Sequence, residues 1–142
     1  MQNAVYKTKA TTNGNARESK ITLVDNPNII SLSLPKELGG AGADKGYNPE
    51  QLLACAYAAC FEGAVNYLYS NKLITAKTNK VQAEVNLLKR DGGFTFGILI
   101  TSYFSNISKE EALNFVKMAH GVCPFSYALK NNIVIEDIIE IA

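Results

Sequence analysis

The succession of elements in the sequence predicts an α+β chain with antiparallel β-sheets, a long buried central helix and a second helical segment that carries a cysteine. Three observations lead there. Residues 4–34 are rich in β-formers broken by turn signals, residues 48–70 form one long run of apolar and small side chains, and two alternating segments flank Asp91-Gly92-Gly93. With 142 residues, 47% of them apolar and 19% charged, the chain has the size of a single domain, 1–142, able to build one core.

In chain order, "VYKTKATT", "RESKITLV" and "IISLSL" are separated by Asn13-Gly14-Asn15 and by Asp25-Asn26-Pro27-Asn28, which predicts a three-stranded meander. "PKELGGAGADKGYNP" is then a loop punctuated by Gly39, Gly40, Gly42 and Gly46. Pro49 suits the first turn of a helix and Asn48 its N-cap. That helix runs to about Ser70, with Leu52, Ala56, Cys60, Ala64 and Leu68 as one ridge, and its apolar first half predicts burial on more than one side.

"KVQAEVNLLKR" and "FTFGILITSYF" form a hairpin about Asp91-Gly92-Gly93, and Val81, Ala83, Val85 and Leu87 mark the buried face of its first strand. Ser108 and Glu111 make a capping box ahead of "EALNFVKMAHGV", whose Ala112, Val116 and Ala119 share a face. Another helix starts at Pro124. "NNIVIEDIIEIA" closes the chain as a strand that joins the sheet.

The net charge is +1 with Lys and Arg scattered, so neither a nucleic-acid groove nor a patch for an anionic membrane is expected. The N-terminal "MQNAVYKTKATTNGN" has no apolar core or cleavage site, and no later stretch reaches the roughly 18 apolar residues of a membrane span, which predicts a cytoplasmic protein. Three cysteines and a single histidine do not make a disulfide framework. They lack C-x-x-C or H-x-x-x-H spacing as well, so no metal site is expected.

The three cysteines differ in setting. At about 100° per residue, Cys55 and Cys60 point roughly 140° apart on their helix, so no intrahelical disulfide can join them. Cys on an apolar helical face is more often packing than chemistry, and Cys55 is assigned to packing. Cys60, in mid-helix, needs an external cation before it can react. Cys123 precedes Pro124 and so falls at the N-cap of the next helix, where free amides and the helix dipole favour a thiolate. His120, beside Gly121 near a helix end, reads as a polar surface or capping residue rather than a catalytic one.

"PKELGGAG" at 35–42, "NPEQLLACAYAACFEGA" at 48–64 and "AHGVCPFSYALKNNI" at 119–133 resemble, in this order and spacing, the organic hydroperoxide resistance (Ohr) proteins of the OsmC/Ohr superfamily. The resemblance extends over essentially the whole chain, and "PKELGGAG" with "AHGVCPFS" favours the Ohr branch over the OsmC branch. Two positions depart from the Ohr pattern, Phe125 for the usual Tyr and Gly121 for the usual Gln, changes that would tune a pocket rather than abolish chemistry.

The resemblance implies an intertwined homodimer and a cysteine-based organic hydroperoxide reductase. By it, Cys60 matches the peroxidatic cysteine, Cys123 the resolving one, Arg17 of "GNAR" the catalytic arginine, and Glu50 of "NPEQ" its acidic partner. Glu50 lies about 15 Å from Cys60 along a straight helix, so it has to act through a bridging group, such as Arg17, or through a chain break near Pro49. The resemblance further implies fatty-acid or alkyl hydroperoxide substrates, a lipoylated protein or dihydrolipoamide as reductant, and no cofactor; nucleic acid and membrane are not expected partners. Phe61, Phe125 and Tyr127 are candidate pocket walls. Two alternatives stand beside it: an OsmC-type peroxidase of broader specificity, and a non-catalytic binder of hydrophobic ligands whose cysteines are core residues.

Overall fold

The N-terminal meander forms with shorter strands than the β-forming runs suggest. In the computed structural model, which describes residues 3–14 and 19–142, β1 (Ala10–Asn13), β2 (Lys20–Leu23) and β3 (Asn26–Ser31) make an antiparallel sheet in that order. The second turn is displaced from its expected place. It closes at Val24-Asp25 with Leu23 opposite Asn26, so Pro27 lies inside β3 instead of in the turn. β3 is an edge strand, where a residue without an N–H donor is tolerated.

The glycine-rich stretch after β3 carries two 3-10 turns, Lys36–Leu38 and Ala43–Lys45, and folds back on its own start. Tyr47 N–H donates to the Ser31 carbonyl at 2.9 Å and Ser33 N–H to the Tyr47 carbonyl at 2.8 Å. Gly46 lies in that close approach, where a Cβ would stand 2.6 Å from the Ser31 oxygen, and a Cβ on Gly40 would collide with the Leu34 backbone. Only glycine fits such contacts.

Helix α1 (Pro49–Ser70) starts as expected, with Pro49 in its first turn. Asn48 and Gln51 cap it reciprocally: Asn48 Oδ1 accepts the Gln51 N–H at 2.7 Å, and Gln51 Oε1 accepts the Asn48 N–H at 3.0 Å. The buried stripe is Tyr57, Phe61, Ala64, Val65 and Leu68: Ala64 and Leu68 of the expected ridge lie on it, while its Ala56 and Cys60 are corrected by one position to Tyr57 and Phe61. Aromatic rings bury far more apolar area than alanines and decide which face turns inward. Ala56 and Ala59 are exposed and Cys55 with them.

The chain divides into two compact units, Met1–Leu52 and Leu53–Ala142. The second contains a three-stranded sheet in the order β4 (Lys80–Arg90), β5 (Gly93–Phe104), β6 (Val134–Ile141). The hairpin turns where expected, with Arg90 paired to Gly93 and Gly92 at φ 76°, a left-handed conformation that glycine adopts without strain. Val81, Ala83, Val85 and Leu87 are the half-buried positions of β4, as the alternation predicts. β6 joins beside β5 in parallel, so this sheet is mixed rather than purely antiparallel. The return passes through α2 (Lys109–Val122) and α3 (Pro124–Leu129), the long crossover that a parallel pair requires.

Helix α2 opens with the expected capping box: Ser108 Oγ accepts the Glu111 N–H, and Glu111 Oε2 accepts the Ser108 N–H, each at 3.2 Å. Its Ala112, Val116 and Ala119 are fully buried, and they share one core with the α1 stripe, Ile98, Ile100 and Phe104 of β5, Ile139 of β6, and Cys123. No described helix is long and apolar enough to cross a membrane.

Candidate active site

Pro124 sets the local geometry. A residue before proline is driven out of the helical region, and Cys123 accordingly sits at φ −66°, ψ 118°, ending α2 and preceding α3. Its N–H donates to the Ala119 carbonyl at 2.8 Å, and its own carbonyl accepts the Tyr127 N–H at 3.0 Å. The corner turns the Cys123 side chain into the core, where it is fully buried against α1.

There it meets Cys60. Cys123 Sγ donates toward Cys60 Sγ across 3.6 Å, both thiols being free, while Cys60 itself is half-buried. A disulfide needs about 2.0 Å, so these sulfurs are in contact and a small movement from bonding. Cys55, five positions earlier, takes no part.

Burial pushes the Cys60 thiol up; the Phe125 backbone amide acts in the opposite sense, and Cys123 adds to the rise because two touching sulfurs resist sharing negative charge. Pro124 has no N–H, which makes Phe125 the first amide donor of α3, and it serves Cys60; the Cys123 side chain makes no capping bond. Among the described residues no cation counters the rise at Cys60. Arg17, nominated for that role, lies outside the described residues. Glu50 is half-buried in the first turn of α1.

The nominated aromatics divide. Phe61 is fully buried and packs on the His120 ring at 4.7 Å between centroids; Phe125 is half-buried and stacks on Tyr57 at 5.6 Å. Tyr127 is 68% exposed, with Lys130 Nζ 4.4 Å from its ring centre.

Beside the thiols stands a polar group that sequence reasoning missed. The Tyr57 hydroxyl meets Ser126 Oγ at 2.9 Å, Ser126 Oγ meets His120 Nδ1 at 2.8 Å, and His120 Nε2 meets the Asp137 carboxylate at 2.9 and 3.1 Å. His120 is therefore bonded through both nitrogens, and is neither a cap nor a free surface residue. Burial raises the Tyr57 hydroxyl's pKa, Ser126 opposes this, and negative charge on Cys123, Asp137 or Cys60 adds to the rise. A cleft of about 270 Å³, walled by Lys130, Asn131 and Ile133, opens beside His120, Ser126 and Asp137. Among the described residues no three of His, Cys, Asp and Glu converge as metal ligands. One sequence signal could have found part of the group: His120 and Ser126 each stand three residues from Cys123.

Known proteins share this chain's pattern. Residues 42–136 match the model of the OsmC-like protein family. The "Organic hydroperoxide resistance protein-like 2" of Staphylococcus epidermidis is 38% identical over 138 residues, 96% of each chain, and the "Organic hydroperoxide resistance protein" of Xanthomonas axonopodis pv. citri is 37% identical over 133 residues, 93% of this chain and 92% of that one. Among solved structures, an organic hydroperoxide resistance protein from Elizabethkingia anophelis superposes with a TM-score of 0.89 at 30% identity over all of both chains. One from Legionella pneumophila gives 0.88 at 32% identity over 97% of this chain and 99% of that one. With a matching family model and relatives of this identity along almost its full length, the chain belongs to the organic hydroperoxide resistance proteins of the OsmC/Ohr superfamily.

Proposed function

We propose that this chain is a thiol peroxidase that reduces organic hydroperoxides, of fatty-acid or alkyl type, to alcohols. The observation that carries the reading is the 3.6 Å contact between Cys60 and Cys123, one half-buried and the other wholly buried. The Cys60 thiolate attacks the terminal oxygen of the hydroperoxide; the O–O bond breaks, a sulfenic acid forms, and the alkoxide takes a proton and leaves as the alcohol. Cys123 then attacks the sulfenic sulfur, closing a disulfide and releasing water, which protects Cys60 from overoxidation. A dithiol of the lipoyl type, as dihydrolipoamide or a lipoylated protein, reduces the disulfide and is itself oxidised.

The cation that a half-buried Cys60 thiolate requires is assigned to Arg17, with Glu50 as its acidic partner. Phe61 and Phe125 belong to the apolar surroundings of the thiols. The working unit in this reading is a homodimer of single-domain chains. A non-catalytic ligand binder would not need two thiols in contact, which favours catalysis.

Titration of free thiols before and after one equivalent of cumene hydroperoxide tests the reading. Loss of two thiols per chain, restored by dihydrolipoamide, is the expected result. Unchanged thiols sink the peroxidase and leave the binder.

A further inference from the structure

Tyr57, Ser126, His120 and Asp137 form one continuous hydrogen-bonded chain, and for a neutral His120 beside an ionised Asp137 its direction is set. The Asp137 carboxylate can only accept, so His120 Nε2 carries the hydrogen between them. In a neutral imidazole Nδ1 is then an acceptor, which takes the one hydrogen of the Ser126 hydroxyl. Ser126 Oγ in turn accepts from Tyr57. Each group is thereby held in one orientation, from the fully buried Tyr57 to Asp137 at the cleft.

The chain also joins the elements that carry the thiols. His120 and Ser126 bracket Cys123 at three residues on either side, and their 2.8 Å bond spans the corner between α2 and α3. Tyr57, less than one turn before Cys60 on α1, ties that corner to the peroxidatic helix, and Asp137 ties it to β6. Without these bonds the corner is held by Pro124, by packing and by the backbone bonds of Cys123 to Ala119 and Tyr127.

We propose that His120 and Asp137 are positioning residues for disulfide closure: the bracket across Cys123 and its tie to Tyr57 hold the Cys123 sulfur against Cys60, so that the resolving step proceeds without rearrangement of the α2–α3 corner. The proposal rests on the thiol peroxidase reading. In the step it serves, the Cys123 sulfur bonds to the Cys60 sulfenic sulfur, the S–O bond breaks, and the thiol proton leaves with the hydroxyl as water.

The test measures two rates in the intact protein, formation of the Cys60 sulfenic acid by cumene hydroperoxide and closure of the disulfide after it. It also measures closure driven by diamide, which needs only the two thiols. In His120→Ala, closure by either route is expected to slow about tenfold while sulfenic acid formation stays within about twofold, since the hydrogen bonds of His120 to Ser126 and to Asp137 are both lost. His120→Asn, whose amide can still reach Ser126, is expected to recover most of the closure rate, and Asp137→Ala to lose part of it. Nitrogen NMR is expected to find His120 as the Nε2–H tautomer.

Unchanged closure in His120→Ala, equal slowing of both steps, or an Nδ1–H tautomer overturns the proposal. Should His120→Ala not fold, His120→Asn and the partly exposed Asp137→Ala decide it: normal closure in Asp137→Ala together with slow closure in His120→Asn overturns it. Wild-type protein inert to hydroperoxide, with diamide closure still slowed in His120→Ala, removes the peroxidase and retains the positioning role.

Discussion

The sulfurs of Cys60 and Cys123 stand 3.6 Å apart although 63 residues separate them in the chain, and the contact depends on a corner made by one proline. Cys60 comes from mid-helix and Cys123 from a junction between helices, so the two are held by different local constraints. Reactivity and resolution should therefore respond to different substitutions.

Cys123→Ser leaves Cys60 its helix, its half-burial and the Phe125 amide. It is expected to consume one equivalent of tert-butyl hydroperoxide and then to stop, with a Cys60 sulfenic acid that a dimedone probe captures. Cys60→Ser is expected to show no turnover. Peroxide reactivity that survives in Cys60→Ser and vanishes in Cys123→Ser would reverse the two roles.

The pH dependence follows from burial of Cys60 and Tyr57, both of whose pKa values are raised. For such groups the stabilising contribution is fully present below the unfolded-state values and is lost as pH rises through the folded-state ones. The protein should lose stability on the alkaline side, from about pH 8.5 upward. Urea titrations across that range check the sign. If Arg17 supplies the missing cation, Arg17→Ala should move the iodoacetamide profile of Cys60 to higher pH; an unmoved profile removes Arg17 from the site.

Phe61 is fully buried between the α1 stripe and the His120 ring. Phe61→Ala should cost about 3–5 kcal/mol, the transfer and cavity cost of a buried aromatic. Denaturant unfolding measures it, and a loss under about 1 kcal/mol would mean that the ring does not pack as described.

Ser108→Ala removes one half of the α2 capping box, far in sequence from either thiol. The expected cost is about 1 kcal/mol, seen as a lower thermal midpoint with thiol reactivity unchanged. A change in disulfide closure with no loss of stability would show that the start of α2 communicates with its cysteine end.

Much of the fold was legible because its signals are local. Asn48-Pro49, Ser108 with Glu111, Asp91-Gly92 and Pro124 each act within a few residues, and all four mark boundaries where they were expected. The alternation at Val81, Ala83, Val85 and Leu87 named the inner face of β4 in the same way. The first half of the α1 stripe was off by one position, while Ala64 and Leu68 were as expected, because alanine, cysteine and leucine at regular spacing look alike in sequence and the larger area of Tyr57 and Phe61 chose the buried side. The parallel pairing of β6 was not legible, since strand direction depends on the path of the chain through α2 and α3.

By itself, the sequence determined the elements, their caps, and the two thiols that its family pattern nominates. Tertiary structure alone decided what surrounds them: that Cys123 turns inward to meet Cys60, that the Phe125 amide serves Cys60, that Tyr127 faces outward, and that His120 is strapped between Ser126 and Asp137. The physical reason is range. Caps and turns are settled by neighbours in the chain, whereas burial, hydrogen-bond partners and the ionisation of a thiol are settled by whichever distant side chains the packing brings within a few ångströms.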